Sequence, residues 1–219
     1  MARTLLLDLD GTLVDTAPDL SASLNRLMVS RGLAPFSLDE TKAMIGDGVK
    51  VLVGRAFAAR SVPEDDRALA DFSHDYGARL ADASVPYPGV PEFMRAHADA
   101  GWRLAVCTNK PVAAARTLLE TLGLLRLVCA IGGGDSFPVR KPDPAHLLST
   151  LRLAGADPAR AIMVGDHRND VVAAHAAAMK VVFVTWGYGP AAMGEGADAV
   201  VRDLPALAAA VERLVPGPA

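Results

Sequence analysis

Four short apolar runs punctuate the chain, at residues 4–7, 103–107, 161–164 and 181–184. Continuous apolar runs of this length, without polar alternation, predict strands buried on both faces, as in a parallel sheet. A weaker run at 127–131 predicts a fifth strand. Between the runs, apolar positions recur at helical spacing. Val90, Phe93, Met94 and His97 precede Gly101, and Leu118, Leu119 and Leu122 precede Gly123. Both glycines stand where a helix ends in a left-handed residue. Strands alternating with helices predict an α/β fold with a mostly parallel, Rossmann-like sheet.

The first strand is not followed by a single helix. Residues 16–85 read as a run of helices, with Leu20, Leu24, Leu27 and Met28 forming a stripe closed by Gly32. Ser37 and Glu40 have capping-box spacing, and Leu69, Phe72, Tyr76 and Leu80 form a later stripe. Pro86-Tyr87-Pro88-Gly89 reads as a stiff return. The expected division is an α/β core of residues 1–15 and 86–219, with a helical insertion of residues 16–85 directly after the first strand. The Pro/Gly-rich end, residues 216–219, is expected to fray.

A chain of 219 residues, 51% hydrophobic and 21% charged, folds as a globule. Its net charge of −3 gives no electrostatic reason to expect nucleic acid or an anionic membrane as partner. No stretch is long and apolar enough to span a bilayer. Asp8 and Asp10 follow a short apolar run, so the N-terminus lacks a signal-peptide core. Cys107 and Cys129 lie in strand-like segments and are expected to be buried thiols, neither a disulfide nor a metal pair. These features predict a soluble cytoplasmic chain, and nothing in the pattern specifies an oligomeric state.

Open α/β sheets bind ligands at the carboxyl ends of their strands, and polar residues gather there. The segments are Asp8-Leu9-Asp10-Gly11-Thr12, Thr108-Asn109-Lys110, Arg140-Lys141-Pro142 and Gly165-Asp166-His167-Arg168-Asn169-Asp170. Two carboxylates about 5 Å apart repel by roughly 3 kcal/mol at an effective dielectric near 20. A cluster of Asp8, Asp10, Asp166 and Asp170 would repel a phosphate as well. A hard divalent cation relieves both, and Mg2+ prefers carboxylates, waters and phosphate oxygens. Taken singly, Thr108 is a strand-end cap, Lys141 a solvated lysine, and Asp166 and Asp170 caps of a helix starting near Arg168. The ordered set carries the expectation.

These four segments resemble, over nearly the whole chain, the motifs of the haloacid dehalogenase-like hydrolase superfamily, most of whose members are phosphatases. Asp8-Leu9-Asp10-Gly11-Thr12-Leu13 matches the first motif, Thr108 the second, Lys141 the third, and Asp166 with Asp170 the fourth. The resemblance implies that Asp8 attacks phosphorus and forms an aspartyl-phosphate. Asp10 would protonate the leaving oxygen and then activate water. Residues two apart on an extended segment point the same way, which suits that pairing. Thr108, helped by the backbone of Asn109, would hydrogen-bond the phosphoryl group, and Lys141 would neutralise its charge. Mg2+ would be held by Asp8, Asp166 and the carbonyl of Asp10, with Asp170 orienting that shell or ligating directly.

The same resemblance makes residues 16–85 a cap over the site and Gly46-Asp47-Gly48 its substrate loop. Lys50 and Arg55 are either partners of a substrate carboxylate or solvated helix residues. Residues 8–20, 45–48, 165–170 and 186–189 are similar to the phosphoglycolate phosphatases. Two positions depart from that pattern: His167 stands for a serine and Ala178 for a glycine. His167 either alters phosphate contacts or is a surface loop histidine. His74, His97, His146 and His175 lack metal-ligand spacing and read as surface or packing residues. Trp186 and Tyr188 either line the mouth of the site or pack its loop. The expectation is a magnesium-dependent phosphatase of a small phosphate ester, 2-phosphoglycolate foremost. A sugar-phosphate phosphatase, a pyrophosphatase, a phosphosugar mutase and a non-catalytic phosphate-binding module are the alternatives.

Overall fold

The computed structural model describes residues 2–217. The chain begins with β1 (Thr4–Leu7), in which every residue is buried, and β2 (Val14–Asp15). Four helices follow: α1 (Ala17–Ser30), α2 (Leu38–Lys42), α3 (Val49–Ala59) and α4 (Ala68–Gly77). β3 (Val85–Pro86) pairs antiparallel with β2 and leads back into the alternating part of the chain. That part runs α5 (Val90–Asp99), β4 (Arg103–Cys107), α6 (Val112–Thr121), β5 (Ala130–Gly132) and α7 (Pro144–Leu153). It closes with β6 (Ala161–Gly165), α8 (Arg168–Ala176), β7 (Lys180–Val184), β8 (Ala199–Val201) and α9 (Leu204–Leu214).

The main sheet has six parallel strands in the order β5-β4-β1-β6-β7-β8. Alternate residues of each strand feed opposite apolar layers. Leu5, Leu7, Leu104, Val106, Ile162 and Val164 pack with Met94 of α5, Leu118 of α6 and Val211 of α9. Leu6, Ala105, Cys107 and Met163 pack on the other face with Leu147 of α7 and Val171 of α8. Because helices cover both faces, the strands read as unbroken apolar runs. β1 lies between β4 and β6, so its carboxyl end meets theirs at one edge.

The inserted helices have an apolar cluster of their own. Leu20, Leu24 and Met28 of α1 pack with Leu52 and Phe57 of α3 and Phe72 and Tyr76 of α4. Ser37 and Glu40 form the expected capping box on α2. The buried carboxylate of Asp19 fastens the return segment by accepting from the backbone N–H groups of Ala83 and Ser84 and from the Ser84 hydroxyl.

Two expectations need correction, and one strand gave no signal. Leu127, where the weaker run begins, closes a 3-10 turn, and the strand occupies only Ala130–Gly132. Cys129 therefore falls outside the sheet and is exposed, while Cys107 is buried. Strand β8 went unread, since three residues with Val200 largely exposed are too few to show a periodicity. Of the tail expected to fray, Pro218 and Ala219 lie outside the described residues. Among the described residues, no helix is long and apolar enough to cross a membrane.

Candidate active site

β1 delivers Asp8 to the sheet edge. Its N–H continues the ladder to the Val164 carbonyl at 2.9 Å, and its Oδ1 accepts from the Leu9 N–H at 2.7 Å. Leu9 is fully buried, which turns Asp8 and Asp10 together toward the other side. Gly11 has φ of +82°, and a Cβ there would run into the Asp166 carboxylate. Gly187 and Gly165 approach Asp166 and Asp170 just as closely. The loops wrap these carboxylates so tightly that only glycine fits.

Asp8, Asp166 and Asp170 each offer a carboxylate oxygen within 4.8 Å of the others, and all three residues are buried. The Lys141 ammonium lies 2.9 Å from Asp8 and 2.7 Å from Asp170. Asp170 also accepts from the His167 N–H at 3.0 Å. Asp166 accepts from the Thr12 hydroxyl at 2.9 Å and the Tyr188 N–H at 2.8 Å. One ammonium thus pairs with two of the three buried acids, and Asp166 has only neutral donors. Burial pushes Asp8 up to about 6 although Lys141 opposes it, and the Asp170 charge adds to the rise. Burial followed by the charges of Asp8 and Asp170 pushes Asp166 up to about 7. Asp170 and Asp8 more than offset the burial of Lys141 and raise its pKa. An all-oxygen donor set that is short of positive charge fits a hard divalent cation of magnesium's kind.

Asp10 is set apart from that trio. Its Oδ1 accepts from the Thr16 hydroxyl at 2.8 Å and from Lys110 Nζ at 3.1 Å. Thr108 is buried at the end of β4. Asn109 donates to the carbonyls of Gly46 at 3.0 Å and Lys141 at 3.1 Å. Asp8, Asp10, Thr108, Asn109 and Lys110 wall one side of a partly open cavity of about 30 Å³, while Leu20, Ile45, Gly46, Gly48, Val49 and Leu52 flank it from the helical segment. That is room for roughly one or two waters.

Residues 5–184 match the family model described as haloacid dehalogenase-like hydrolase. The chain belongs to this family. A phosphoglycolate phosphatase of Agrobacterium fabrum is 46% identical over 216 residues, covering 96% of this chain and 93% of its own. One from Caulobacter vibrioides is 40% identical over 204 residues, covering 91% and 86%. The crystal structure of a predicted phosphoglycolate phosphatase from Haemophilus somnus 129pt superposes with a TM-score of 0.88 at 31% identity, covering 95% of this chain and 97% of that one.

In this haloacid dehalogenase-like hydrolase, the strand-end residues gather as their sequence positions predict, whereas the loop after α2 divides. Gly46 and Gly48 line the cavity, but the Asp47 carboxylate leaves it to accept from Asn169 Nδ2 at 2.6 Å and from Arg55. Arg55 also donates to the Met44 carbonyl, and Lys50 is exposed. Asp47 therefore clasps the loop to the α8 N-terminus. His167 caps α8, its Nδ1 accepting from the Asn169 N–H at 3.2 Å, and its ring fills the space a Cβ on Gly46 would take. It is a packing residue beneath the loop, and burial lowers its pKa. Trp186 Nε1 donates to the Thr12 carbonyl at 3.1 Å. The Tyr188 hydroxyl accepts from the N–H groups of Thr16 and Ala17 and donates to Asp15. Both aromatics secure loops around the acids.

Sequence reasoning missed Lys110 and Tyr76. Lys110 Nζ is buried against Asp10 and donates to the Tyr76 hydroxyl at 2.6 Å. Its place in the Thr108-Asn109-Lys110 segment was the one available signal.

His146 lies on α7 and is completely buried. Its Nδ1 accepts from the Lys141 N–H and its Nε2 donates to the Gly133 carbonyl, each at 3.1 Å. Burial, then the charge of Lys141, lowers its pKa from 6.5 to about 4. Between those values the unfolded chain binds the extra proton, so this contribution is present above about pH 6.5 and lost as pH falls toward 4. From pH 7 to pH 5 the loss is about 2 kcal/mol. His146→Gln is expected to remove that part of the slope, as urea melts of both proteins at the two pH values would show.

Proposed function

We propose that this hydrolase is a magnesium-dependent phosphatase that releases phosphate from a small ester, with 2-phosphoglycolate as its substrate. One observation carries the proposal: a buried carboxylate backed by a lysine sits inside an acidic trio, and a second acid stands just outside it. Lys141 and the Leu9 N–H both occupy Oδ1 of Asp8, which leaves Oδ2 to attack phosphorus and form an aspartyl-phosphate. Asp10 gives its proton to the departing ester oxygen, then takes one from the water that cleaves the acyl phosphate. The Thr108 hydroxyl donates to a phosphoryl oxygen, and Lys141 offsets the charge that collects on the nucleophile and phosphoryl group. Asp8, Asp166 and Asp170 are the side chains that would hold magnesium, with the Asp10 carbonyl as a further ligand. Bound there, the ion would supply positive charge for the phosphate and the acids.

Residues 16–85 serve in this proposal as a cap on a core of residues 1–15 and 86–219. Leu20, Ile45, Val49 and Leu52 of that cap roof the space beside Asp8 and Asp10 that a short ester such as 2-phosphoglycolate would enter. The relatives named phosphoglycolate phosphatase favour the same substrate. The test measures free phosphate from 2-phosphoglycolate, a hexose phosphate and pyrophosphate, with Mg2+ or with EDTA. The highest kcat/KM is expected for 2-phosphoglycolate, with chelation lowering turnover at least about 100-fold and magnesium restoring it. Isomerised hexose phosphate without free phosphate would instead indicate a mutase.

A further inference from the structure

Lys110 is the cationic side chain in the lining of the cavity beside Asp8 and Asp10. Its side chain is 1% exposed, a costly place for an ammonium unless it is paired. Asp10 supplies one partner, with Oδ1 at 3.1 Å and Oδ2 at 3.4 Å. Tyr76 supplies another through its hydroxyl at 2.6 Å, and its ring lies 4.6 Å from Nζ. An ammonium has three donors, and all three are engaged, but the one on Asp10 Oδ2 at 3.4 Å is the longest and the one a stronger acceptor in the cavity would take over. Other cations nearby are placed elsewhere. Arg140 lines an open cleft with Pro138 and Pro142 and reaches Gly48 from outside the cavity, Lys141 is engaged by Asp8 and Asp170, Arg55 by Asp47, and Lys50 is exposed.

In 2-phosphoglycolate a single carbon separates the ester oxygen from the carboxylate, so a carboxylate oxygen lies about 3 Å from the ester oxygen. A group reading that carboxylate must therefore adjoin the group that protonates the ester oxygen. Lys110 touches Asp10, and both line the same cavity. We propose that Lys110 selects the substrate, exchanging its long contact to Asp10 Oδ2 for a carboxylate carried one carbon beyond the ester oxygen while Tyr76 holds the ammonium in place. This rests on the phosphatase assignment above and names the group that recognises the leaving end of the ester.

The experiment compares kcat/KM for 2-phosphoglycolate with that for ethyl phosphate, which has the same skeleton without the carboxylate. Wild type is expected to prefer 2-phosphoglycolate by about 100-fold or more, and Lys110→Met to cut that ratio to about 5-fold or less, chiefly through KM. Loss of Asp10 positioning would depress both substrates alike and leave the ratio unmoved, so the ratio isolates recognition. Ethyl phosphate turnover reports that the variant is folded. Should Lys110→Met be inert toward both, Tyr76→Phe decides, with an expected several-fold fall in the ratio. A wild-type ratio near one overturns the choice of 2-phosphoglycolate and this inference together. A strong preference that survives in Lys110→Met, or in Tyr76→Phe when the first variant is inert, overturns this inference alone.

Discussion

Asp8→Asn is expected to lose at least about 10⁴-fold in kcat for phosphate release while remaining folded. An amide oxygen does not attack phosphorus, yet asparagine has the shape of aspartate and keeps an acceptor for the Leu9 N–H and Lys141. Removing one of three clustered carboxylates also relieves repulsion. Asp8 has a folded pKa near 6 against 3.8 for the free side chain. A raised acid contributes stability that is full below the unfolded pKa and is lost as pH rises through the folded one. At pH 8 the buried charge therefore costs on the order of 3 kcal/mol without metal. The substituted amide carries no such charge, so the variant should melt no lower than wild type in magnesium-free buffer at that pH. Phosphate release and thermal melts together check this. A folded variant turning over within tenfold of wild type would remove Asp8 from the role of nucleophile.

Residues whose position follows from local rules were readable in the sequence. Leu9 must enter the core at the end of β1, and that alone turns Asp8 and Asp10 to one side. The long strands announced themselves because helices bury both of their faces. Elements of two or three residues gave no period to read, which hid β8 and the β2–β3 ribbon. Contacts between distant segments were equally silent. Lys110 is buried because α4 brings Tyr76 across to it from 34 residues away. Asp47 looked like a substrate contact until Asn169, 122 residues on, claimed its carboxylate. In each case the side chain's partner, not its own type or spacing, decides what it does.

Lys141→Met carries the larger structural consequence. Sequence alone suggests that losing this lysine harms chemistry more than folding, because it faces the phosphate. Its burial changes that balance. The side chain is 1% exposed and bridges Asp8 and Asp170, themselves 11% and 0% exposed. Its backbone is fixed as well, the N–H donating to His146 and the carbonyl accepting from Asn109, so methionine would occupy the same slot with no charge. Breaking a buried ion pair by removing one partner typically costs about 3–5 kcal/mol, because the remaining charge is left uncompensated. A loss of that size is expected in urea melts at pH 8 without metal, together with a fall in kcat of about 10³-fold. Magnesium separates this from a packing defect. With Lys141 gone the acidic trio attracts the cation more strongly, and binding to the folded state alone adds about 2.7 kcal/mol when the ion stands at 100 times its Kd. Saturating Mg2+ should therefore stabilise Lys141→Met more than it stabilises wild type. Equal stabilisation of both, or a metal-free variant as stable as wild type, would mean that Lys141 is not the counter-ion of these carboxylates.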